Sequence, residues 1–243
     1  MYNRMVTADC KNNPYPAKIC VAISGTTSAD ILALAHSASA QADVLEIRLD
    51  SMAEPAIAPF VGVLPTPLLF TNRAAGEGGN FSGTEQERIN ILQQAIEAGA
   101  AFVDIELKTY SGLRDALVQQ ARDQGTQTIV SWHNFTNTPS SQALRTILQE
   151  QYRSKASIGK IITMAQTFHD VLRVLELQIE AAEIGLPLIA FCMGQAGVIS
   201  RVATLGLGGF MTYAAADGSK GTAPGQLTIS SLRAIAKELA NVC

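Results

Sequence analysis

Residues 43–50 read DVLEIRLD, and the reading of this stretch decides the fold. In extended backbone Val44, Glu46, Arg48 and Asp50 share one face, and Leu45, Ile47 and Leu49 share the other. The apolar face has to be buried, and the charged face looks either at water or at a ligand. The surrounding sequence bears on that choice. Similar apolar runs recur as KICVAIS, PLLFTNR, FVDIELK, TQTIVSWH, IGKIITMA, PLIAFCMG and FMTYAAA, which with DVLEIRLD make eight. Between them lie segments of helical composition such as SADILALAHSASAQ, TEQERINILQQAIEAG, YSGLRDALVQQARDQG and FHDVLRVLELQIEAAEIG, several ending in Gly as a helix C-cap does. Eight alternations of strand and helix predict an α/β fold, a (β/α)8 or TIM barrel. An open doubly wound sheet is the runner-up, set aside because no GxGxxG follows the first run and no Walker sequence occurs.

A length of 243 residues suits one such catalytic domain over 1–243, with 1–17 as a short N-terminal extension. Apolar residues make up 47% and charged residues 16%, as expected of a sheet covered on both faces. The net charge of −3 speaks against a nucleic-acid footprint, which needs clustered Lys and Arg. No apolar run is long enough for a membrane span and no apolar signal core opens the chain, so a cytoplasmic location is expected. Cys10, Cys20, Cys192 and Cys243 lack CxxC or Cys/His ligand spacing. They are expected as reduced thiols, with no metal site, and Cys20 and Cys192 as packing residues.

In a barrel of this kind ligands sit at the C-terminal ends of the strands. That rule selects Glu46 and Arg48 on the second strand, Arg73 ending the third, Asp104 and Glu106 on the fourth, and His133 ending the fifth. Lys160 lies in the sixth, and Met193 closes the seventh, before a loop carrying Arg201. The eighth strand leads into DGSKGTAPGQ. Of seven lysines only Lys160 lies inside an apolar strand. Either it snorkels outward from a strand start, or it is a desolvated amine able to attack a carbonyl, the reading favoured here. His133 is a hydrogen-bonded loop residue or a proton shuttle, and its strand adjoins that of Lys160 near the barrel mouth. His36 and His169 fall in helical segments and are expected to be structural.

Glu46 and Arg48 form an internal ion pair or, with Arg73, bind a polyhydroxylated acid. Asp104 and Glu106 admit the same two readings, with a supporting shell for His133 or Lys160 preferred. Glu77, in RAAGEGGNFSG, is either solvated or positions the histidine. APGQ is a turn before a helix, or a mobile lid whose hydroxyl and amide reach a ligand.

Together these residues resemble the type I 3-dehydroquinate dehydratases of the shikimate pathway, from Lys18 to about Leu239. The matching motifs are EIRLD, TNRAAGEGG, DIEL, SWHNFTNTP, GKIITMA, MGQAGVISR and APGQ. The resemblance implies that Lys160 forms an imine with the ketone of 3-dehydroquinate and that His133 is general acid and base. It implies that Glu46, Arg48 and Arg73 contact ring hydroxyls and carboxylate, while Arg201 and Gln226 hold the carboxylate end. No cofactor is implied. Two departures occur. Thr222 stands where members often carry Ser before APGQ, and Ala22 stands where some carry Ser, with Ser24 two residues on along the same face. Ser24, Ser219 and Thr222 all remain candidates for the hydroxyl contacts. The rival functions are a class I aldolase, which also uses a barrel lysine, and a non-catalytic metabolite-binding barrel. A homodimer through outer helices is the expected assembly.

Overall fold

The computed structural model describes residues 17–219 and 221–240. Of the expected N-terminal extension only Ala17 is among them, and Cys10 and Cys243 lie outside. Eight parallel strands form one sheet: β1 (Lys18–Ile23), β2 (Val44–Arg48), β3 (Leu68–Thr71), β4 (Phe102–Glu106), β5 (Gln127–Asn134), β6 (Ile158–Met164), β7 (Leu188–Met193) and β8 (Met211–Ala214). Their order is β7-β6-β5-β4-β3-β2-β1-β8. The Phe210 N–H donates to the Leu188 carbonyl at 2.8 Å, which brings β8 back to β7 and nearly closes the barrel.

The helices are α1 (Ser28–Ser39), α2 (Glu85–Glu97), α3 (Ser111–Asp123), α4 (Ser141–Arg153), α5 (Phe168–Glu183), α6 (Val198–Gly206) and α7 (Ile229–Ala240). Thr27, Thr84 and Thr167 start α1, α2 and α5 by accepting a first-turn N–H, while Asp30, Glu87 and Asp170 return the bond to the cap backbone. Among the described residues the β2–β3 connection has only a 3-10 turn, Leu49–Ser51, in place of the expected helix. Pro55, Pro59, Pro65 and Pro67 remove four backbone donors from that segment, which rules out a continuous helix. Phe60 packs on Phe70 there, ring centroids 6.4 Å apart, and seals the barrel wall. None of the helices among the described residues is long and apolar enough to cross a membrane.

The period-two pattern sorts the core into layers. Leu45, Ile47, Val103 and Ile105 point outward onto Ile31, Ile89 and Leu92 of α1 and α2. Ile161, Ala190 and Cys192 do the same against Leu144, Leu148 and Val174. The inner faces supply a second core of Val44, Leu69, Phe102, Ile129, Ile158 and Met211, with Cys20 and Ala22. Glu46 lies two residues beyond Val44, Asp104 beyond Phe102, Ser131 beyond Ile129 and Lys160 beyond Ile158, so all four share the inward parity. The charged face of DVLEIRLD therefore looks into the barrel, above an apolar floor.

Candidate active site

Lys160 is the third residue of β6, paired in register with Ser131 on one side and Ile189 on the other. It is 4% exposed and does not snorkel. Its Nζ lies 3.0 Å from Asp104 Oδ2, 3.9 Å from Glu46 Oε1 and 3.1 Å from the Tyr213 hydroxyl, with the Tyr213 ring centroid at 4.4 Å. The amine is thus buried but not alone. Asp104 also pairs with Arg73 at 2.8 Å and accepts from the Ser131 hydroxyl at 2.6 Å. Burial pushes the Asp104 carboxyl up, but the Arg73 and Lys160 charges outweigh it and hold it well below the usual range. Burial raises the Tyr213 phenol, and the Glu46 charge adds to the rise.

The interior ion pairs differ from the simplest pairing along β2. Arg48 donates to both oxygens of Asp50, each at 2.8 Å, while Glu46 accepts from Thr71 at 2.6 Å. Arg73 reaches from beyond β3 to Asp104 and to Glu106, the latter at 2.8 Å. The far oxygen of Glu106 meets Arg88 of α2 at 2.5 Å, and Arg88 also bonds Glu85 and the Asn72 carbonyl. Asp104 and Glu106 are the posts of this network, set behind the cavity that Lys160 lines.

His133, on β5, shares one carboxylate oxygen with its own backbone: Glu77 Oε2 lies 3.0 Å from both the His133 N–H and Nδ1. Burial, with the Arg73 and Lys160 cations adding, holds the imidazole well below its usual value. Burial likewise lifts Glu77 to about 7. The Phe135 ring stacks on His133 with centroids 6.1 Å apart. Gly78 underlies that ring in a left-handed conformation, φ 77°, where a Cβ would sit 2.4 Å from Phe135.

Arg201 lies on α6, not in a loop as the sequence suggested. Its guanidinium stacks on Phe191 at 4.5 Å and donates to the Pro224 carbonyl at 3.1 Å. It is the one fully buried cation among the described residues with no carboxylate partner. Burial lowers it to about 10. The APGQ loop folds over it. Gln226 Oε1 accepts from the Thr222 N–H at 2.6 Å and the Ala223 N–H at 3.2 Å.

These groups line one cavity, open at the C-terminal ends of the strands where a barrel binds its ligands. Of the residues anticipated from sequence, Lys160, His133, Glu77, Glu46, Arg48, Arg73, Arg201, Thr222, Gln226 and Met193 line it. Asp104 and Glu106 lie behind it, and Ser24 faces a neighbouring pocket shared with Ser219 and Thr222. Tyr213, Ser131 and Arg88 were missed. Tyr213 and Ser131 had a usable signal, the inward parity of an aromatic on the last strand and of a hydroxyl two residues beyond Ile129, and Arg88 had none. Among the described residues no cluster of His, Cys, Asp and Glu is arranged to hold a metal.

Fold and cavity together define a (β/α)8-barrel enzyme with a buried amine, an imidazole and a guanidinium without a carboxylate partner at the C-terminal mouth. The type I 3-dehydroquinase family model matches residues 19–241, and the chain belongs to that family. It is 45% identical over 218 residues to the 3-dehydroquinate dehydratase of Desulfotalea psychrophila, covering 90% of this chain and 96% of that one. The type I 3-dehydroquinate dehydratase of Clostridium difficile, solved with covalent modified comenic acid, superimposes with a TM-score of 0.87 at 28% identity over 94% of each chain. The 3-keto-L-gulonate-6-phosphate decarboxylase of Vibrio cholerae, at 14% identity and TM-score 0.61 over 92% of this chain and 98% of that one, shares the fold alone.

Proposed function

We propose that this enzyme dehydrates 3-dehydroquinate to 3-dehydroshikimate through an imine on Lys160, with His133 carrying the proton. The observation that carries the reading is a buried primary amine, an imidazole and an unpaired guanidinium on the wall of one cavity. The amine passes one proton to His133 and adds to the substrate ketone, and the carbinolamine hydroxyl then leaves as water with that same proton, giving the iminium. Attack requires the unprotonated amine and the adduct is again a cation, so Asp104 faces positive charge before and after. The iminium draws electrons from the neighbouring C–H bond. His133, held neutral by its surroundings, accepts that proton while Glu77 takes the hydrogen bond from Nδ1. The enamine then expels the β-hydroxyl, which leaves as water with the proton returned by His133. Hydrolysis releases the conjugated enone and restores Lys160. Overall, one substrate gives one product and one water.

In this reading Arg201 holds the substrate carboxylate, since a ligand anion is the partner its guanidinium lacks. Glu46, Arg48 and Arg73 receive the ring hydroxyls, Gln226 joins Arg201 at the carboxylate end, Thr222 closes the site, and Met193 packs against it. The covalent ligand of the Clostridium difficile relative supports covalent chemistry in this fold. We also place the chain in the cytoplasm as a single catalytic domain that pairs into a homodimer. Phe168, Leu172 and Ile179, exposed at turn spacing along α5, support a surface that a second copy covers.

Borohydride added during turnover should fix a mass adduct on the peptide containing Lys160, and Lys160→Met should give none. Purified protein should also raise the enone absorbance from 3-dehydroquinate. An adduct on another lysine refutes the mechanism, and carbon–carbon cleavage without enone returns the aldolase reading.

A further inference from the structure

Glu77 belongs to two spaces. It lines the main cavity and also a second, open pocket bounded by Glu106, Lys108, Thr109 and Tyr110, and no other described residue lines both. Oε2 faces His133, whereas the buried Oε1 has no hydrogen-bond partner. Lys108 Nζ lies 3.8 Å from that oxygen.

The charged groups around Glu77 are otherwise committed. Arg73, from the segment after β3, binds Asp104 and Glu106. Asp104 and Glu106 on β4 add negative charge, and His133 approaches from β5. Arg88 of α2 is bound to Glu85 and Glu106. Lys108 is the one cation here, among the described residues, whose only carboxylate partner is Glu77. Its side chain is 60% exposed, and its Nζ sits 5.6 Å from the Trp132 ring, beside His133 in sequence.

We propose that Lys108 is a positioning residue for the reaction: from the second pocket its charge keeps Glu77 ionised, and the Glu77 carboxylate holds His133 with Nδ1 protonated and its other nitrogen free for substrate. The proposal rests on His133 being the proton carrier. A carboxylate with one unsatisfied oxygen in a partly buried place is readily protonated, and Glu77, lifted to about 7, sits where a small change in nearby charge alters its ionised fraction. Loss of the ammonium raises the Glu77 value further, so the acid limb of kcat moves to higher pH. Because Lys108 is exposed, salt weakens its hold.

The test is the pH profile of kcat and KM for the unaltered enzyme, Lys108→Met and Lys108→Arg, at low and high salt. Lys108→Met should reach the same plateau with unchanged KM, but with kcat about 1.5- to 5-fold lower on the acid limb, the range for an exposed ion pair. Lys108→Arg should restore the profile. Salt should move the unaltered enzyme toward Lys108→Met and leave that variant in place. Superimposable profiles at low salt overturn the proposal, as does a lowered plateau with an unmoved limb. If His133→Ala and the unaltered enzyme turned over alike, the reading of the site itself would fall instead.

Discussion

Replacing Arg201 by methionine should separate binding from folding. The guanidinium is fully buried, has no carboxylate partner, and is lowered from its ordinary value to about 10 by burial. That shift corresponds to about 3 kcal/mol spent keeping the side chain charged in the folded state. Because the folded value lies below the free one, the penalty is full below about pH 10 and fades only above it. Against it stand the hydrogen bond to Pro224 and the stacking on Phe191, together worth about 2–4 kcal/mol. Methionine fills much of the same space without the charge. The opposing effects leave folding stability within about 2 kcal/mol of the parent, or about 6 °C in Tm for a chain of this size. Affinity for the carboxylate ligand should instead fall by about 1.5–3 kcal/mol, roughly 10- to 150-fold in Kd. Calorimetric titration with 3-dehydroshikimate and thermal unfolding measure the two quantities on the same samples. Unchanged affinity, or a stability loss above about 4 kcal/mol, would falsify the assignment of Arg201 as the anion clamp.

Glu77→Gln tests the buried carboxyl by pH. A folded value raised to about 7 means that the native state binds its proton more tightly than the unfolded chain, so Glu77 costs stability increasingly as pH rises from about 4.5 through 7. Urea unfolding should show the variant gaining on the parent by at most about 3 kcal/mol between pH 5 and pH 8, and a gap that does not vary with pH contradicts this. Asp104→Asn strips charge from the shared partner of Lys160 and Arg73, and should cost about 3–5 kcal/mol in the same assay. Gly79→Ala places a Cβ 2.0 Å from the Arg73 carbonyl oxygen, so it should displace the turn that carries Arg73 and Glu77 and lower kcat; full activity would mean that the turn adapts freely.

The barrel was legible because its strands are apolar runs interrupted at fixed parity by charge, a pattern with little use on a solvent-facing sheet. Lys160, Glu46 and Asp104 stand out for that reason, each two residues from an inner-core side chain. Partner choice was not legible. Along β2 Glu46 and Asp50 stand two residues either side of Arg48, and only the turn that follows the strand gives Arg48 to Asp50. Arg88 did not stand out at all, because nothing local reveals that Glu106 waits beneath it. Arg201 was found as a residue but misplaced in a loop, since the glycines of MGQAGVISR suggest a turn where α6 begins at Val198.

The depth of Lys160 has a consequence for life in a mixture. Free amines react slowly with any aldehyde or sugar they meet, and an exposed lysine has no means of refusing. Set inside the barrel mouth, 4% exposed, on the wall of the cavity it shares with Arg201, His133, Thr222 and Gln226, this amine is reached by a carbonyl compound that enters that cavity. Proofreading against stray electrophiles is thus done by access rather than by reactivity, and it is in force before any bond is made.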